Sequence, residues 1–127
     1  MNIQTHQKID QDLCGRPLNI ETGARKVEML TTENMAVDGT GLVHGGFIFG
    51  LADHAAMIAV NLPSVVRGAA EVTFLKPVQA GETVIAEALI KDESGKKMVV
   101  RTTVSRNGDT VFEGHFTCFV LDRHVLK

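Results

Sequence analysis

The longest apolar run in the chain lies between Gly46 and Leu62, and one acid, Asp53, interrupts it. It opens on a His44-Gly45-Gly46 turn and stops at Pro63. The run reads as a helix from Gly46 to about Leu62. Ile48, Leu51, Ala55, Ile58 and Leu62 form a stripe at three- and four-residue spacing, the pattern of a helix face laid on a sheet. At roughly 100° per residue, Gly46, Gly50, Asp53 and Met57 fall on the other side. Glycines there admit another backbone, and burying Phe49 and Met57 calls for a second surface. The sequence therefore predicts a dimer interface with Asp53 at or near it.

The remaining elements are short and bounded by turn residues. Residues 4–13 suggest a short amphipathic helix, ended by Cys14-Gly15-Arg16-Pro17. A first strand is expected over 24–31, then a loop from Thr32 to Gly41. After the long helix come strands over 68–76, 83–92, 97–106 and 110–121. Their turns are Gln79-Ala80-Gly81-Glu82, Glu93-Ser94-Gly95-Lys96 and Asn107-Gly108-Asp109, the last a strong hairpin signal. Consecutive hairpins make a mostly antiparallel sheet, and the one long helix must pack on it, an α+β arrangement.

At 127 residues and 44% apolar content the chain is expected to be a single domain with a real core. A net charge of −2 gives no general attraction to nucleic acid or to an anionic membrane. Cys14 and Cys118 match no metal spacing and are expected to be free thiols in a reducing compartment. No signal peptide is visible, and the apolar run is too short and too interrupted to span a bilayer. The expected location is the cytoplasm. No metal ligand set is apparent, and no serine sits in a nucleophile elbow.

The order and motifs of the chain resemble the hotdog fold, in which a sheet wraps around one central helix. Within it they are most similar to the acyl-CoA thioesterase group that includes phenylacetyl-CoA thioesterase. The resemblance rests on His44-Gly45-Gly46, on Leu51-Ala52-Asp53 with the acid nine positions after the histidine, and on Val72-Thr73-Phe74-Leu75-Lys76-Pro77 followed by Gly81-Glu82-Thr83-Val84. It covers about residues 24–121 of a single 1–127 domain. It implies a homodimer, often paired again into a homotetramer, with active sites between subunits. It also implies Asp53 as catalytic acid and Gly45 or Gly46 as backbone oxyanion donor. One position departs: six residues before the histidine this group commonly has Asn, which helps position water and substrate, and here stands Asp38.

The chemistry asked of these residues is modest. A thiol with a pKa of roughly 8.5 leaves readily. Backbone N–H groups at a helix start can hold the oxyanion. A carboxylate can activate water as general base, or attack directly. The expected activity is thus hydrolysis of an acyl-CoA thioester, with coenzyme A entering as part of the substrate and no separate cofactor. His44 either donates to the thioester carbonyl or fixes the loop through the backbone. His54, beside Asp53 in sequence but turned away on the helix, reads as a partly exposed histidine. Asp38, Phe47, Met57, Arg67, Gly68 and Phe74 are candidate substrate-binding residues. Arg67, Lys96, Lys97 and Arg101 are candidates for the coenzyme phosphates. A non-catalytic acyl-CoA binding or sensing module is the alternative. A hotdog dehydratase is a further one: Gly114-His115-Phe116 is similar to a dehydratase motif, although the residues around it do not match.

Overall fold

The structure, a computed structural model, describes residues 2–18 and 25–127. Its core is one helix, α2 (Gly45–Val60), laid against a six-stranded antiparallel sheet. The strands are β1 (Arg16–Pro17), β2 (Arg25–Leu30), β3 (Val65–Phe74), β4 (Thr83–Ser94), β5 (Lys97–Arg106) and β6 (Asp109–Val120), in the spatial order β1-β2-β4-β5-β6-β3. Three consecutive hairpin-linked strands form the centre, as their turns predict. The long connection through α2 places β3 at one edge, beside β6. This is the hotdog arrangement.

Alternation along the strands separates the two faces. Val100, Thr102 and Val104 of β5 and Phe112, Gly114, Phe116 and Cys118 of β6 are buried under the helix. Arg101, Glu113 and His115 lie on the opposite face, where Arg101 and His115 are directly opposed. Leu51, Ala52, Ala55, Ala56 and Ile58 of α2 are fully buried against the sheet. Burial of this apolar surface, at roughly 25 cal/mol per Å², favours the packing of the helix on the sheet.

Several boundaries differ from the expected ones for identifiable reasons. The first helix is confined to α1 (Gln11–Cys14), because Asp10 caps it by accepting from the Asp12 and Leu13 N–H groups. His6, with φ +54, breaks any helix upstream. Helix α2 ends before Leu62 because Asn61 takes the left-handed conformation, its N–H donating to the Met57 carbonyl. β3 begins at Val65, earlier than expected, and carries a bulge between Arg67 and Ala69. The expected first strand starts at Ala24, which lies outside the described residues. Met57, assigned by helical phase to a second surface, is 1% exposed and belongs to the chain's own core. Ala55, Ala56, Met57 and Ile58 are all 0–1% exposed, so more than one face of this part of the helix is covered within the chain, where α1 packs on it as well as the sheet. No helix among the described residues is long and apolar enough to cross a membrane.

Candidate active site

The start of α2 is built by the His-Gly-Gly turn. His44 is the N-cap, with φ −61 and ψ 130, and its Nδ1 accepts the Gly46 N–H at 2.7 Å. The Phe47 N–H donates to the His44 carbonyl at 3.1 Å. The Gly46 N–H is thus occupied, whereas the Gly45 N–H makes no hydrogen bond among the described residues. An unpaired N–H at the positive end of a four-turn helix is suited to an oxyanion. Gly45 also lines an apolar cleft of about 260 Å³, together with Val43, Ile48, Phe74, Leu75, Val78 and neighbours. The Phe74 ring lies so close that a Cβ on Gly45 would come within 3.1 Å of it. Phe74 itself is 55% exposed and packs edge-on against Phe112 at 5.1 Å.

Asp53 sits two turns further along α2. Its side chain is 23% exposed, and Oδ1 accepts from Arg67 Nε at 2.8 Å. Burial pushes its pKa above the usual carboxylate range, opposed first by Arg67 and more weakly by His6 and His54. His54 is not partly exposed as expected: it is 1% exposed, with Nδ1 3.0 Å from the Cys14 carbonyl oxygen. The His6 ring stacks on it with centroids 6.2 Å apart. That stack is possible because the N-terminal segment is tied to the end of α2, where Asn61 accepts from the Gln4 N–H and donates to the Asn2 carbonyl. Sequence reading missed this segment, and nothing local signals a contact between residues so far apart. A signal for the Arg67 partnership was available but went unread: Gly68, set as the start of the expected strand, lies inside β3, where an isolated glycine marks a bulge.

The other candidate residues are dispersed. Asp38 is exposed and bound to its own turn, its carboxylate accepting from the Thr40 N–H at 2.9 Å and the Thr40 hydroxyl at 2.6 Å. Those two bonds hold its pKa below the usual range. Phe47 is half-buried, edge-on to the His44 ring at 6.1 Å. Met57, being in the core, does not line an open slot. Gly68 is the bulge residue beside Arg67. Lys96 pairs with Asp122 at 2.6 Å and Arg101 with Glu113 at 3.3 Å, both on the surface. Lys97 makes no ion pair among the described residues and stands opposite Phe119 in the β5–β6 register. Among the described residues no three His, Cys, Asp or Glu side chains come together as a metal cluster.

Comparison with known proteins places this geometry in a family. Residues 40–113 match the family model described as the thioesterase superfamily. A solved structure of an uncharacterised protein from Pyrococcus horikoshii superposes with TM-score 0.97 at 49% identity, covering 100% of this chain and 98% of that one. The PaaI protein of Escherichia coli superposes with TM-score 0.78 at 26% identity, covering 88% of this chain and 83% of that one. Under the name acyl-coenzyme A thioesterase PaaI it is 33% identical over 95 residues, 69% of this chain and 67% of that protein. The methylthioribose-1-phosphate isomerase of Aquifex aeolicus is 46% identical over 123 residues, 96% of this chain. The transcription factor FapR of Caldanaerobacter subterraneus is 26% identical over 117 residues, 91% of this chain. This chain spans only 27% of the Aquifex protein and 58% of FapR. Matched by its family model across the helix and the strands that carry Gly45, Asp53 and Arg67, the chain belongs to the thioesterase superfamily.

Proposed function

We propose that the protein hydrolyses an acyl-CoA thioester to the free acid and coenzyme A, at sites shared between two copies of the chain. The observation that carries this reading is the pairing, on one helix, of a free Gly45 N–H facing an apolar cleft and a half-buried acid at Asp53. Asp53 takes a proton from water, whose oxygen attacks the thioester carbon. The carbonyl oxygen becomes an oxyanion held by the Gly45 N–H. The C–S bond then breaks, and the thiolate leaves with the proton returned from Asp53. His44 stiffens the turn that presents Gly45, and the acyl group lies in the cleft beside Phe74.

Two copies are needed for a geometric reason. Gly45 and Asp53 are eight residues apart on α2, about 12 Å along its axis. A base must approach within about 3 Å of its proton, or act through one water. One carbonyl cannot meet both groups of the same helix. Two helices running in opposite directions across a two-fold axis bring the Gly45 of one beside the Asp53 of the other. The exposed edge of β3, with small residues Gly68, Ala69 and Ala70, and the open space over Gly50 favour such an assembly.

The likeness to a protein named as a transcription factor leaves a second, non-hydrolytic reading open, for which the ligand we propose is the same acyl-CoA. A dehydratase reading has less support, because His115 lies on the sheet face away from the helix. Thiol release from acetyl-, hexanoyl-, palmitoyl- and phenylacetyl-CoA, with wild type beside Asp53→Asn, separates these readings. Hydrolysis is expected in the wild type, with a loss of about 100-fold or more in the variant. Saturable binding of a thioester without thiol release by the wild type would favour the second reading.

A further inference from the structure

Arg67 occupies an inner position on an edge strand. Val65, Ala70, Val72 and Phe74 share that side, and Cys118 stands directly opposite. The Arg67 side chain is 40% exposed, so the guanidinium reaches solvent while its inner edge is directed at α2. Three features hold it there. Its Nε donates to Asp53 Oδ1 at 2.8 Å. Its Cζ lies over the Phe49 ring, 5.2 Å from the centroid, and Phe49 is packed in turn on Phe116 at 5.5 Å. The third is the bulge. The β3–β6 register passes from Arg67 opposite Cys118 to Ala69 opposite Thr117, which leaves Gly68 unpaired. A Cβ at Gly68 would run into the Phe119 ring, so glycine is the residue that fits there. Bulges re-aim the side chains beside them, and this one aims Arg67 at α2.

We propose that Arg67 is the positioning residue of the Asp53 carboxylate: Nε fixes Oδ1 and thereby presents Oδ2 to the attacking water. The inference rests on the hydrolase reading above. A lysine could supply charge but not the fixed Nε–H donor of a guanidinium held over Phe49. Arg67 also has an electrostatic part. Burial drives Asp53 toward its neutral form, and Arg67 is the strongest influence against that. The titratable groups facing Asp53 are Arg67 from β3, His6 from the N-terminal segment, His54 from α2, Cys14 from α1 and Cys118 from β6. Burial lowers the pKa of both histidines and raises those of both thiols, Cys118 to about 12. Of these groups Arg67 does most to favour the carboxylate form of Asp53 against burial.

The test uses Arg67→Met and Arg67→Lys in the full chain. It measures hexanoyl-CoA and phenylacetyl-CoA hydrolysis over roughly pH 5 to 9, and carbon-13 NMR titration of the Asp53 carboxyl. Arg67→Met is expected to lower kcat by about tenfold or more, to leave KM within about threefold, and to move the acid limb of kcat/KM upward by about one pH unit. Arg67→Lys should return the limb most of the way while kcat stays depressed. An unmoved limb with kcat near wild type in Arg67→Met overturns the proposal. If the wild type hydrolyses neither thioester, the hydrolase reading fails for these probes and the NMR titration decides separately. A carboxyl midpoint about one unit higher in Arg67→Met then supports the hold on Asp53, and an unmoved midpoint overturns it.

Discussion

Thr102 is a fully buried threonine whose hydroxyl finds no partner among the described residues, enclosed between Ala88 and Gly114 in the strand register. Such a group costs about 1 kcal/mol or more relative to an apolar one of the same shape. Thr102→Val is therefore expected to stabilise the protein by about 1 kcal/mol in a denaturant titration. His54 carries a pH-dependent cost. Burial lowers its pKa below the usual 6.5, outweighing its hydrogen bond to the Cys14 carbonyl. The folded state prefers the neutral ring, so the unfolded chain takes up the proton first as the pH falls. Stability is intact above about pH 6.5 and is lost as the pH drops through the lower folded value. His6, lowered in the same direction, adds to the same window. Thermal midpoints measured from pH 8 to 5 should fall below 6.5 in the wild type and fall less steeply in His54→Asn. At this scale the sequence was informative about Asp53, whose charge breaks an apolar run. It was uninformative about His54, because helical phase alone does not say that an N-terminal segment and Cys14 will cover it.

Helix α2 and the hairpins after it were legible because each is encoded locally, by apolar periodicity and by the Gly95 and Asn107-Gly108 turns. The bulged start of β3 and the short α1 were not. Both depend on contacts from elsewhere, Phe119 over Gly68 and Asp10 at its cap. The start of α2 carries its own test. His44→Ala removes the acceptor of the Gly46 N–H and should cost about 1 kcal/mol of stability. Close packing between β3 and β6 provides another. A Cβ on Gly114 would lie 2.6 Å from the Glu71 carbonyl oxygen, a backbone atom held in the ladder. Gly114→Ala is therefore expected to destabilise by roughly 1–3 kcal/mol, read as a lower denaturant midpoint with an unchanged slope.

For the whole molecule the central claim is that neither copy of the chain holds a complete site. The separation of Gly45 from Asp53 along one helix supports this proposal, and helical rise alone makes that separation legible from the sequence. The direct test combines two variants, each lacking one half. Asp53→Asn removes the acid. Gly45→Pro removes the N–H at the first helical position, where proline is tolerated, and the extended backbone of His44 suits a residue before proline. Each variant alone should be inactive. Co-expressed with different tags, the two form mixed dimers in which one of the two sites has both an intact Gly45 and an intact Asp53. Statistical pairing then predicts recovery of about a quarter of wild-type turnover in the mixture. Recovery of that size would establish a site shared between subunits. Mixed dimers that assemble and stay as inactive as their parents would contradict it.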